Sequence, residues 1–264
     1  VYKRQTSGSP GRLIILFAIP LMLGNICQQL YTMVDTMVVG QVAGVEALAA
    51  LGAVDFLMWV VTGISTGLTQ GFSIQLSQYY GAKDFDNLRK SLAHSYRLTA
   101  FIAAGVLILS QSFASLVLTG LHTPSNIIGM SLLYLRIIFC GIPATAAYNM
   151  FASALRAMGN SKTPLTAMII ASVLNVSLDI LFVAGFGWGV AGAAIATVIA
   201  QSFSAVYCFL ILRRIDIVHL TRADFMPASG MNARLMKLGI PVVFQNIIIG
   251  VGGLVVQYLS LIHI

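Results

Sequence analysis

Residues 13–40 hold a single charged side chain, Asp35, and this is the first of seven long apolar runs that fill most of the chain. About 20 residues of α-helix cross the roughly 30 Å hydrocarbon core of a bilayer. Backbone in hydrocarbon must close its own hydrogen bonds, which restricts spanning structures to helices and closed barrels. The runs lack the period-two alternation of barrel strands, so helices are predicted. With 58% hydrophobic and 9% charged residues and a mean hydropathy of +0.90, the chain sits far from a soluble domain, where about 25% of residues are charged. The expected fold class is an all-α polytopic membrane protein.

Seven spans are predicted, at 13–40, 47–79, 92–118, 126–158, 164–186, 190–212 and 235–258. Several exceed the minimum length, which permits tilt or protrusion into water. Arg12, the group Lys83, Arg89, Lys90 and Arg97, the pair Arg156 and Lys162, and Arg213, Arg214, Arg222, Arg234 and Lys237 fall at one set of span ends. The opposite connections, QVAGVEA, GLHTPS and GFGWG, contain no Lys or Arg. By the positive-inside rule the N-terminus is cytoplasmic. The net charge of +7 then reflects topology and contact with the inner leaflet, and nucleic acid is not an expected partner. The segment RRIDIVHLTRADF, 213–225, reads either as lying along the inner interface or as a solvated loop.

The two ends are expected to share an origin in DNA. VYKRQ can be encoded by a sequence whose reverse complement reads Leu-Ser-Leu-Ile-His, and the chain closes on LSLIHI. Residues 1–5 and 259–264 are therefore expected to be translated adapter, and the protein a fragment cut at both ends. Removing Lys3 and Arg4 lowers the net charge by two, to +5. Cys27, Cys140 and Cys208 all lie in apolar runs and are read as buried thiols outside any disulfide framework.

An ionised carboxylate inside a bilayer is costly and usually functional. Asp35 shares a helical face with Tyr31 and Gln28, and Asp179 in the fifth span shares one with Asn175. At about 1.5 Å per residue, Asp35 lies roughly 33 Å above Leu13, and Asp179 roughly 23 Å above Pro164. Thr197 in the sixth span falls near the height of Asp179. Two carboxyls in a low-dielectric pocket cannot both ionise cheaply, which suits a proton site; the Asn and Thr oxygens beside them also suit Na⁺. The bland alternative is polar glue between helices, although a neutral Asn would serve that purpose at lower cost.

Arg136, within YLRIIF, is expected to be buried and paired. Pro20, Pro143 and Pro241 interrupt spans as hinges or static kinks. The stripe Gly189, Ala193, Thr197 predicts close helix packing. His94, His122 and His219 show no metal-ligand spacing, and no nucleophile–base pair or phosphate loop is present, so no catalytic residues are assigned. RLIILFAIP opening the first span and RLMKLGIP opening the seventh suggest that the seventh begins a second copy of the first six.

The stretches FAIPLMLGNICQQLYTMVDTMVVG, YLRIIFCGIPATAAYNMFASALRAMGNSKTPL and LNVSLDILFVAGFGWGVAGAAIAT resemble the multidrug and toxic compound extrusion (MATE) transporters, and the likeness runs from about Gly11 to Tyr258. The resemblance implies two six-helix lobes around a cleft. Residues 6–212 would form the N-terminal lobe, 213–234 a cytoplasmic inter-lobe loop and 235–258 the first helix of the second lobe. It implies a cation-coupled (H⁺ or Na⁺) multidrug antiporter that exports organic, often cationic amphipathic compounds, needs no organic cofactor and is a monomer at full length in a bacterial inner membrane. By the same resemblance Asp35, Asp179, Asn175 and Thr197 hold the coupling ion. Tyr31, Tyr134 and Asn149 line the substrate cavity, and Pro20 is the hinge; Gln28 is assigned to the cavity from the helical face it shares with Tyr31 and Asp35. A flippase for lipid-linked saccharides would instead need a basic cleft. A membrane-embedded enzyme or assembly subunit would need a catalytic cluster near one interface.

Overall fold

A computed structural model describes residues 10–263, so the predicted terminal peptide at 1–5 lies outside the described residues. Eight helices follow one another: α1 (Pro10–Val42), α2 (Val45–Gly81), α3 (Phe85–Gly120), α4 (Ile128–Cys140), α5 (Ile142–Ala157), α6 (Lys162–Asp179), α7 (Gly189–Arg213) and α8 (Met231–His263). Six helices among the described residues are long and apolar enough to cross a membrane, and α4 with α5, bent by 46°, would make a seventh if the pair forms one span. The chain is thus a multi-pass membrane protein of six to seven spans, in the predicted order.

The fourth span breaks at Gly141 for local reasons. Pro143 has no N–H to donate one turn back, and its ring crowds the preceding turn. At Gly141 a Cβ would sit 2.7 Å from the Val198 side chain on α7, so only glycine lets the bend rest against that helix.

Three helix ends close alike, with the last residues folding back on the final turn. Asp84 N–H reaches the Tyr79 carbonyl at 3.0 Å, Thr123 N–H reaches Leu118 at 3.2 Å and Asn160 N–H reaches Leu155 at 2.9 Å. The motif requires one left-handed residue, usually Gly. Gly159 meets that need at φ 81°, whereas Lys83 (φ 58°) and His122 (φ 55°) adopt the same conformation with side chains. Asp84 then caps α3, accepting from the Asn87 amide side chain at 2.7 Å and its backbone N–H at 3.1 Å. Those bonds hold the Asp84 carboxyl below its usual range.

Two apolar clusters stack along the bundle. One gathers Phe72, Leu76, Leu88, Leu92 and Leu155, and the other Val39, Val54, Leu118, Leu135, Phe139 and Val183. Helix α8 lies along α2 on a glycine seam: a methyl on Gly71 would run into the Gly239 backbone, and one on Gly67 would come within 2.8 Å of the Val243 backbone. Asn246 Nδ2 donates to the Gly63 carbonyl at 3.2 Å on the same seam.

Several expectations are corrected. Cys208 is buried, but Cys140 is exposed and Cys27 intermediate, because α4 turns Cys140 outward beside Arg136. Arg136 is itself exposed, with no side-chain ion pair among the described residues; its backbone carbonyl accepts from Gln111 Nε2 at 2.8 Å. The 213–230 connection is not a free loop. Ile215 and Val218 enter the core, and two short 3₁₀ turns, Asp216–Val218 and Arg222–Phe225, carry the chain along α3. His94, buried on α3, places Nδ1 2.7 Å from Asn232 Oδ1 and Nε2 3.1 Å from the Met226 carbonyl. Arg97 donates to the Phe225 carbonyl at 2.9 Å. The connection is a strap pinned to α3.

Candidate ion-coupling site

Helix α1 packs along α6 and the turn that follows it, which sets the helix of Asp35 against the helix of Asp179. Asp35 is 5% exposed, Asn175 1% and Asp179 0%. The two carboxyls lie within Coulombic range of each other. Asn175 Nδ2 donates to Thr197 Oγ1 at 3.4 Å, tying α6 to α7. Three of the four residues predicted to hold the ion are thus deeply buried, and Thr197 is bonded to one of them.

Asp179 is the last residue of α6 before a π-helical turn, Ile180–Gly185. Phe186 N–H reaches back five residues to the Leu181 carbonyl at 2.9 Å. Such turns insert one residue and are frequent at functional sites. A ring stack holds this one: Phe182 and Trp188 have centroids 5.1 Å apart, and Phe186 and Trp188 5.4 Å. Gly192 of α7 lets Phe182 approach, since a Cβ there would fall 3.0 Å from it.

The buried polar groups of this region are short of donors. Asp35 Oδ1, Asn175 Oδ1 and both Asp179 oxygens are buried without a hydrogen-bond partner. Unpartnered buried acceptors cost roughly 1–3 kcal/mol each, and carboxylates more when charged. Gln201 Oε1 is a further orphan, while its Nε2 donates to Tyr31 OH at 3.5 Å. A narrow cleft is lined by Tyr31, Met168, Ala171, Asn175, Thr197 and Gln201. All the orphans are oxygens that accept, so the residues fit protons or a hard cation, which prefers oxygen ligands.

The cavity residues divide. Tyr31 lines the cleft, and Tyr134, 4% exposed on α4, lies within Coulombic range of Asp35, Tyr31 and Asp179. Asn149 instead donates to Thr66 Oγ1 of α2 at 3.1 Å. Gln28 is exposed. Pro20 lies inside a continuous α1. Gln201 was not predicted; its signal was its position one turn beyond Thr197 on the same face of α7.

The fold and this cleft define a helical membrane lobe with a buried acidic pair on facing helices. The MatE family model matches residues 20–181, and the chain belongs to that family. Among curated proteins it is similar to "Probable multidrug resistance protein YpnP" of Bacillus subtilis, 31% identical across 92% of this chain and 55% of that protein. YoeA of the same organism, also a "probable multidrug resistance protein", is 28% identical over 97% of this chain and 57% of its own length. Among solved structures, an outward-facing "multidrug resistance MATE family transporter of the MOP superfamily" superposes with TM-score 0.85 at 25% identity, covering 90% of this chain and 53% of that one. A MATE transporter in its bent conformation superposes with TM-score 0.83 at 26% identity, over 89% and 53%. The chain spans about half the length of the curated relatives it matches.

Proposed function

We propose that the intact protein is a cation-coupled multidrug antiporter of the cytoplasmic membrane, with its N-terminus inside. It exchanges external H⁺ or Na⁺ for organic, often cationic amphipathic compounds. The observation that carries this reading is the set of buried acceptor oxygens on Asp35, Asp179 and Asn175 that have no donor, carried by helices that pack against one another. The names of the relatives support the export of drugs; the sign and depth of the cleft support the coupling.

Asp35 and Asp179 take up the coupling ion when the cleft opens outward, assisted by Asn175 and Thr197. Uptake removes negative charge beside Tyr31 and Tyr134, which weakens the hold on a cationic substrate. Helix α1, with Pro20 as its hinge, relaxes around the neutralised Asp35 and the substrate leaves. Coupling of this kind requires ion and substrate to differ in their affinity for the two states. Residues 6–212 act as the N-terminal lobe, 213–234 link the lobes and α8 opens the second, which supplies the other half of the substrate path. A lipid-linked saccharide flippase fits less well, since no Lys or Arg lines the cleft.

The test is reconstitution of the intact protein in vesicles loaded to hold a pH or Na⁺ gradient. Adding an organic cation such as tetraphenylphosphonium is expected to speed dissipation of one gradient. Substrate movement that leaves both gradients untouched would overturn the antiport reading.

A further inference from the structure

The pinned strap places an unusual surface at a particular height. Counting from the Gly120 end of α3, Arg97 lies about 35 Å along the helix at 1.5 Å per residue, just beyond a hydrocarbon core of roughly 30 Å. With Gly120 at the outer edge of that core, Arg97 would stand at its inner edge, on the side proposed to be cytoplasmic. Its bond to the Phe225 carbonyl at 2.9 Å fixes the 3₁₀ turn Arg222–Phe225 at that height.

Two polar groups of the strap are directed inward. Asp224 is 6% exposed and closes a capping box, accepting from Thr221 N–H at 2.7 Å and Oγ1 at 2.8 Å. The Met226 carbonyl faces His94. Beside the exposed Thr221 and Ser229, two apolar side chains are turned outward, Phe225 at 38% exposed and Met226 at 67%. Arg97 and Arg222, both exposed, flank them, and neither pairs with a carboxylate among the described residues.

We infer that this turn is a docking site for an anionic phospholipid of the inner leaflet. Phe225 and Met226 enter the boundary between headgroups and chains, and Arg97 and Arg222 meet the phosphate. Apolar side chains beside cations are what an anionic membrane surface binds, and guanidinium forks match phosphate geometry. The bonds to His94 and Arg97 keep the wedge in place, so a bound lipid would steady the link between the two lobes. The inference rests on the proposed orientation but not on ion coupling.

The experiment uses the intact protein carrying Phe225→Trp, compared with its parent, in vesicles of phosphatidylcholine containing brominated lipid. Brominated phosphatidylglycerol is expected to quench the added fluorescence at least twofold more than brominated phosphatidylcholine at equal mole fraction. Arg97→Gln combined with Arg222→Gln should bring that ratio to one. Raising the salt concentration on Phe225→Trp alone should lower the ratio too, which keeps the test open if the double variant misfolds. No quenching by either lipid means that water or the second lobe covers the turn, and overturns the inference. Equal quenching by both lipids, or a preference abolished by 10 mM inorganic phosphate (roughly, a concentration at which free ions screen weakly), also overturns it, the latter in favour of a free-anion site. Adding Asp35→Asn to Phe225→Trp should leave the ratio unchanged, so a failure of the coupling site would not be mistaken for a failure of this one.

Discussion

Asn175 reaches from α6 to Thr197 on α7, its amide donating to the hydroxyl at 3.4 Å, while its own carbonyl oxygen is buried without a partner. The amide is thereby oriented with its acceptor end unpartnered, one turn before Asp179 on α6. If that orientation serves ion uptake, Thr197→Val should raise the concentration of coupling ion needed for half-maximal efflux. A neutral hydrogen bond is worth about 0.5–1.5 kcal/mol, or roughly two- to tenfold. Thr197→Ser should stay close to the parent. Ion titrations of efflux in vesicles would check both.

The seam between α2 and α8 predicts a sharp contrast among glycines. Gly71→Ala forces a methyl into the Gly239 backbone, and overpacking of this kind costs about 1–3 kcal/mol. Gly105 of α3 has open space where a Cβ would go, so Gly105→Ala should be neutral or stabilise by up to about 1 kcal/mol. Thermal unfolding of the detergent-solubilised protein would show the first variant melting lower and the second unchanged or higher.

Left-handed residues make a second stability prediction. Lys83 and His122 occupy the position that Gly159 fills in the third copy of the motif. An L side chain there costs about 1–2 kcal/mol, partly offset by glycine's greater freedom when unfolded. Lys83→Gly and His122→Gly should each raise the melting temperature, and Gly159→Ala should lower it.

Asp84 links the cap of α3 to pH. Its folded pKa is depressed by the Asn87 side chain and backbone, so its stabilisation is fully present above the ordinary aspartate value of about 3.9. It is lost as pH falls through the lower folded value. Acidification below that ordinary value should therefore destabilise the parent more than Asp84→Asn, which caps without titrating. Melting temperatures recorded on either side of it would reveal the difference.

The spans were legible because long apolar runs have one physical outcome in a bilayer, and Pro143 marked the break at Gly141. Burial of Asp35, Asn175 and Asp179 followed from their helical spacing and depth. The π turn after Asp179 was not legible, since it depends on Phe182, Phe186 and Trp188 stacking across a glycine-rich corner. Arg136 misled because span membership says nothing about which face of α4 meets the surroundings. The strap was missed for a related reason: its attachment depends on His94 and Arg97, more than a hundred residues earlier, and no local pattern announces a contact of that range. Gln201 escaped attention because a glutamine in a span carries no charge to explain.

The central claim is that Asp35 and Asp179 together take up the coupling ion. The most direct measurement is gradient-driven efflux by the intact protein carrying Asp35→Asn or Asp179→Asn, each reconstituted at the parent's level. Either variant is expected to fold and insert normally yet lose gradient-driven efflux. Parental efflux rates in both variants would contradict the account.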